Sequence, residues 1–256
     1  MLRKIIIFYL VTCLGAGLMG GLQPHIGIDE NVIQLTQLGP TFGVLVLLAI
    51  YRKNIKLAIG NRFTRPVLRR VVLGALIPLA AFGLTLLMYT LTGHGKFIDF
   101  THPAALSSSP YWLIFVMAFV GASFEEIGWR SWLQPFLQTK YSVLSASLIV
   151  GVLWGLWHVG NFAYGPLFMG AFMIMAVAIS VVMGVLLQGA RRNNLIIATT
   201  VHAVVNIYLL LFFSEEQGNI AAMATIAAGW VIAALAVLAL SKRFNQGAIN
   251  TPAIAE

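Results

Sequence analysis

A chain of 256 residues that is 59% hydrophobic and 9% charged, with a mean hydropathy of +0.89, does not have the make-up of a water-soluble globule, which carries about 25% charged residues. Its formal charge of +8 would suit a nucleic-acid partner, but the placement of the basic residues matters more than their sum, and the composition makes a bilayer the solvent. The single Cys13 excludes an intrachain disulfide framework.

Apolar runs of about 20 residues, enough to cross a hydrocarbon core of about 30 Å, recur along the chain. Eight spans are predicted, at 5–22, 33–50, 71–92, 111–134, 143–161, 167–189, 195–213 and 220–240, giving an all-α polytopic membrane bundle. The first follows Arg3 and Lys4 and runs past Cys13 to Leu22 with no AxA-like site, so it is expected to be an uncleaved span rather than a leader. Its Gly17 and Gly21 form a weak GxxxG step. Fourteen of the sixteen Lys and Arg then fall on one side of the membrane: Arg3, Lys4, Arg52, Lys53, Lys56, Arg62, Arg65, Arg69, Arg70, Lys140, Arg191, Arg192, Lys242 and Arg243. The other side holds Lys96 with Asp29, Glu30, Asp99, Glu215 and Glu216. The positive-inside rule therefore predicts a multi-pass cell-membrane protein with both termini cytoplasmic. The basic loop 51–70 also suits anionic lipid headgroups, although orientation alone accounts for it. A single membrane-embedded domain is expected over 1–244, followed by a disordered tail, 245–256.

Three short motifs interrupt the apolar pattern. The stretch FEEIGWR, 124–130, places Glu125, Glu126 and Arg130 at the end of fourteen uncharged residues, 111–124. A charge at the centre of a membrane helix costs roughly 2.5–3.5 kcal/mol, against about 0.3–0.6 kcal/mol gained per leucine or isoleucine. A cytoplasmic helix end meeting water would explain the charges, but fourteen residues reach only about 21 Å, so the span has to include the glutamates. Positions four apart share a face: Glu126 pairs with Arg130, while Glu125, about 100° around the helix, stays uncommitted. WGLWH, 154–158, and HAVVN, 202–206, repeat the spacing with Trp154 and His158, and with His202 and Asn206. A lone histidine in an apolar helix is more often a packing residue, but beside an intramembrane glutamate it marks a functional site. In a hairpin turning near Tyr141 or Ser142, Glu125 and His158 reach the same height of about 25 Å; His202 stands about 15 Å above the Arg191–Arg192 turn, so the first hairpin must protrude further into the cytoplasm. Gly151 and Gly155 leave room for another backbone near His158. Asn161 and Tyr164 lie at the outer end of their span, where aromatics anchor to headgroups. Trp129, Trp132 and Trp157 suit packing better than a substrate groove, and His25, His94 and His102 are expected in solvated loops.

In this order, EExxxR, then an aromatic with His four residues on, then HxxxN, the chain resembles the CPBP family of intramembrane proteases, which includes the type II CAAX prenyl endopeptidases and bacterial relatives linked to bacteriocin processing or immunity. The resemblance covers roughly 110–215, and it departs from the pattern where Trp154 stands for the usual Phe. It implies that Glu125 and His158 activate a water for attack on a peptide carbonyl. His202 and Asn206 would hold the oxyanion, and Glu126 with Arg130 would brace the helix. A carboxylate and an imidazole in one low-dielectric cavity suit proton transfer near neutral pH, and donors aimed at the tetrahedral oxygen are worth a few kcal/mol each. The family has been described both as metalloprotease and as glutamate protease. Glu125, His158 and His202 would be the ligands if zinc is bound, but the chain has no HExxH pair, and the site is read as usable without a metal. The expected partners are membrane lipid and a membrane-embedded or lipidated protein or peptide, with no nucleic acid. Two rivals come from other classes: a silent immunity or scaffold protein, and an ion- or proton-coupled transporter, for which the remaining spans mark out no polar path.

Overall fold

A backbone in hydrocarbon must satisfy its own polar groups, which the helix does within each segment. The computed structural model, which describes residues 1–60, 63–92, 109–190, 192–213 and 218–241, has helices and no strand among those residues. Helix α1, Leu2–Ile26, ends at Gly27 in the left-handed conformation with φ 68°, a cap that glycine adopts without a Cβ penalty. A 3-10 turn, Leu35–Leu38, leads into α2, Gly39–Tyr51, and α3 is Arg65–Leu91. Helix α4, Tyr111–Gly128, runs through a π-helical turn, Trp129–Leu133, into the short α5, Gln134–Leu137. The remaining helices are α6, Val143–Trp157, α7, Pro166–Leu187, α8, Asn194–Phe212, and α9, Ile220–Ala239. The hairpin turns where expected: Ser142 caps α6, its hydroxyl oxygen accepting the Ser145 N–H at 3.1 Å.

Among the described residues seven segments are long and apolar enough to cross a membrane, and the protein is an all-α polytopic bundle. The eighth, α6, has 15 residues, about 22 Å, and departs from the predicted span 143–161. It stops at Trp157, and His158 leaves the helix with ψ 63°. The chain continues as a 3-10 turn, Val159–Tyr164, to Gly165 with φ 87° and to Pro166, which opens α7. Proline is suited to a first helical turn because its missing N–H would have had no intrahelical partner there.

Burial ranks the helices. In the most apolar window of α7 72% of residues are buried, and in α8 61%, against 22% in α1 and α3. Helices α7 and α8 are therefore central and α1 and α3 peripheral. On α1, Leu10, Leu14, Leu18 and Leu22, four residues apart, are all exposed and form a lipid-facing stripe, while Phe8, Thr12, Gly15 and Ala16 are buried on the other face. Helix α6 packs on α7 through the predicted glycines: a Cβ on Gly151 would stand 2.7 Å from the Val177 Cα, and one on Gly155 would meet Met173. The expected tail 245–256, Arg62, Lys96, Asp99, Arg191, Glu215, Glu216, Lys242, Arg243, His94 and His102 lie outside the described residues.

Candidate active site

Helix α4 carries both glutamates inward, with Glu125 at 2%, Glu126 at 0% and Arg130 at 1% exposure. The predicted i,i+4 pair forms: Arg130 Nη1 donates to Glu126 Oε1 at 3.0 Å. The same oxygen accepts from His202 Nδ1 at 2.7 Å, so Glu126 ties α4 to α8 as well as bracing its own helix. The Arg130 guanidinium lies 4.3 Å over the Trp154 ring, a cation–π placement that partly replaces lost hydration. Arg130 sits within the π turn, a feature common at functional sites. Proline supplies the cause. Pro135 has no N–H to give to the Ser131 carbonyl, which accepts instead from Ala58 N at 2.8 Å, and the Gln134 N–H reaches back to Trp129. Asn194 Nδ2 donates to the Arg130 carbonyl at 2.9 Å, joining the start of α8 to this turn.

Glu125 faces elsewhere, as its position on the helix requires. The Trp154 indole N–H donates to Oε2 at 2.9 Å, and Gln37 Nε2 donates to Oε1 at 3.2 Å. His202 Nε2 stands 3.9 Å from Oε1, too far for a hydrogen bond but within reach of a shared water. Both oxygens are thus held by neutral donors, which fix the orientation of the carboxyl group.

His158 is placed by the end of α6. Its backbone N–H turns to the Gly155 carbonyl at 3.2 Å, which frees the Trp154 carbonyl, and the His158 Nδ1–H donates to that oxygen at 2.9 Å. A carbonyl only accepts, so Nδ1 carries a proton, and in the neutral ring the Nε2 lone pair is available. The His158 ring packs against Trp154, Trp157 and Phe172 with centroids 5.6, 4.9 and 4.9 Å away, and the His202 ring lies 5.2 Å from Trp154. Trp154 therefore touches Glu125, Arg130, His158 and His202, and Glu125 and His158 meet through it. Asn206 stands one turn beyond His202 on α8, half-buried.

The other site-like residues fall into the packing. Trp129 and Trp132 are 0% and 1% exposed and pack on Phe8. Trp157 and Asn161 are buried, and Tyr164 meets Phe168 edge to face with centroids 5.0 Å apart. Gln37 was not foreseen. Its signals were an amide inside the predicted span 33–50 and Gly121, one turn before Glu125, where a Cβ would overlap the Gln37 side chain.

The donors were tested against zinc. Among the described residues no three His, Cys, Asp or Glu side chains form a group able to hold a metal. Glu126 engages His202 Nδ1, and His202 Nε2 stands 3.9 Å from Glu125 Oε1; no step below is routed through a metal.

Comparison with known proteins agrees with the motifs. A family model described as type II CAAX prenyl endopeptidase Rce1-like matches residues 107–208, which contain all three motifs. Lysostaphin resistance protein A of Staphylococcus haemolyticus is 27% identical over 241 residues, covering 93% of this chain and 65% of that protein. The protein of that name from Staphylococcus aureus strain Newman is 27% identical over 240 residues, 93% of this chain and 56% of that one. The chain thus spans less than two thirds of the length of the curated relatives it matches. With the motifs inside the matched segment and an all-helical membrane bundle around them, residues 107–208 of this chain are similar to the type II CAAX prenyl endopeptidase Rce1-like family.

Proposed function

We propose that the chain is an intramembrane endopeptidase that hydrolyses peptide bonds of membrane-associated proteins or peptides with a water activated by Glu125 and His158. The observation that carries the reading is Glu125 itself: 2% exposed, with each oxygen accepting from a neutral donor and the imidazoles of His158 and His202 around the same indole. A buried carboxylate without a cationic partner is costly, and catalysis supplies a reason to keep one.

In the proposed reaction the water oxygen adds to the scissile carbonyl carbon while one water proton passes to Glu125 or His158. The oxyanion accepts from Asn206 Nδ2 and from His202 Nε2 when that ring carries its second proton; Glu126, on His202 Nδ1, orients the ring. The tetrahedral intermediate collapses as the C–N bond breaks. The held proton goes to the leaving nitrogen, which gives a free amine and a new carboxyl terminus. Lipidated CAAX-type and transmembrane segments are the substrate classes suited to a site among apolar helices. Both termini are placed in the cytoplasm on the basic residues of the loops.

The test is cleavage of tail-lipidated and transmembrane peptides by purified protein in nanodiscs, wild type against Glu125→Ala and His158→Ala, each shown to keep wild-type thermal stability. Loss of cleavage in both supports the reading; equal cleavage in either removes that residue from it. Activity that survives exhaustive chelation is the expected result, and loss restored by zinc alone would transfer water activation to a metal. The second reading, a non-catalytic resistance or scaffold protein, draws on the name of the curated relatives, lysostaphin resistance protein A. Wild-type protein that cuts nothing, with its biological effect intact in Glu125→Ala, favours it.

A further inference from the structure

Among the described residues outside the segment matched by the family model, Gln37, from the turn between α1 and α2, reaches the Glu125 carboxyl group. We propose that Gln37 is the positioning residue for Glu125, and that the N-terminal hairpin is the device that delivers it. This rests on Glu125 being the catalytic carboxylate.

Three sets of contacts carry the proposal. At the site, Gln37 Nε2 donates to Glu125 Oε1 at 3.2 Å, a contact spanning 88 residues of sequence. Gly121 makes the room for it, since a Cβ there would overlap the Gln37 amide. Behind the turn, Gln23 of α1 acts as a latch. Its Nε2 donates to the carbonyls of Ile28 at 3.3 Å and Ile33 at 2.7 Å, and its Oε1 accepts from Leu35 N at 2.8 Å. The loop is thereby closed onto the helix that precedes it, and the 3-10 turn points Gln37 inward. Along α2, Thr41 Oγ1 donates to the carbonyl of Phe124, the residue before Glu125, at 2.6 Å. Gly39 and Gly43 seat α2 against α1, where a Cβ on Gly39 would stand 2.5 Å from the Thr12 carbonyl oxygen and one on Gly43 would stand 2.7 Å from the Thr12 hydroxyl.

The choice of an amide is chemically pointed. Arg130 on Glu126 makes a neutralised pair, whereas an amide donor fixes one oxygen of Glu125 and leaves the charge available as a base. With Trp154 on the other oxygen, the carboxylate cannot swing, and the lone pairs left free keep one direction for the water. Displacement of a reacting group by about 1 Å can cost on the order of a hundredfold in rate.

The experiment uses the full chain in nanodiscs with Gln37→Met, which keeps the length of the side chain and removes the donor. The first readout does not need activity: labelling of buried carboxyls by dicyclohexylcarbodiimide, followed site by site with mass spectrometry. Glu125 is expected to react several-fold faster in the variant, with Glu126, which Gln37 does not touch, unchanged. An unchanged rate at Glu125, or an equal rise at Glu126, overturns the proposal, the latter because it reports general loosening. The second readout is peptide cleavage, where kcat is expected to fall about tenfold or more with KM within about twofold. An intact kcat, beside an inactive Glu125→Ala, overturns the role of Gln37 and leaves the protease reading standing. Faster Glu125 labelling in a protein whose wild type cuts nothing leaves Gln37 as the holder of Glu125 and removes the protease reading.

Discussion

At the scale of single residues, Glu126 and Trp154 matter through more than one partner each. Glu126 Oε1 accepts from Arg130 and from His202 at once. Glu126→Ala leaves a buried guanidinium without its counter-charge and an imidazole N–H without its acceptor. Removing one partner of a buried pair costs about 3–5 kcal/mol, so thermal unfolding in detergent is expected to move down clearly for this variant and much less for Glu125→Ala, whose partners are neutral. Trp154→Phe separates two jobs of one side chain. The aromatic face under Arg130 and beside His202 survives, but the N–H on Glu125 is lost. A hydrogen bond to a charged group is worth about 1.5–3 kcal/mol, and the expected outcome is about tenfold lower kcat with a drop in thermal stability smaller than that of Glu126→Ala. The exchange of Phe for Trp was legible in the sequence; the consequence of the added N–H was not, because nothing in a one-dimensional pattern places an indole nitrogen against a carboxylate 29 residues away.

At the scale of elements, the contact of α6 with α7 is set by glycine. A Cβ on Gly151 would meet backbone, the Val177 Cα at 2.7 Å, so no side chain can move aside to admit it. Gly151→Val has to push α6 away and is expected to destabilise by about 1–3 kcal/mol, read as a lower melting temperature. His158, which the end of α6 positions, would lose alignment in the same variant. Ser142, Gly151 and Gly155 made the start and the close face of this helix readable. Its early end was not, because Gly160, Gly165 and Pro166 lie beyond His158 and an apolar run through 161 carries no strong breaker at 157. The π turn is similar: Pro135 removes an N–H from the helix, and only the Ala58 N–H on Ser131 shows how the released carbonyl is satisfied.

At the scale of the whole molecule, the orientation rests on charge alone and has its own test. In a Cys13→Ala background, single cysteines at exposed Glu30 and Lys140 are treated on intact cells with a membrane-impermeant maleimide. Glu30→Cys is expected to label at once and Lys140→Cys only after permeabilisation; the reverse pattern would invert the assignment. Against the transporter alternative, the buried Glu125 and Glu126 of α4, Arg130 of the π turn and His202 of α8 gather with the half-buried His158 at the end of α6, while the buried Arg70 at the start of α3 donates to the Pro66 and Gln188 carbonyls.

The sequence by itself determined the all-helical bundle, the Glu126–Arg130 pair and the order of the three motifs. In hydrocarbon a segment must satisfy its own backbone, so hydropathy dictates helices and a spacing of four dictates a shared face. Only the tertiary structure decided which atoms hold Glu125, and that Glu126 reaches His202 across 76 residues. Those distances depend on how far helices slide and turn against one another. That is set by Gly39 and Gly43 against Thr12, Gly121 against Gln37 and Gly151 against Val177, close approaches that periodicity along one helix does not encode.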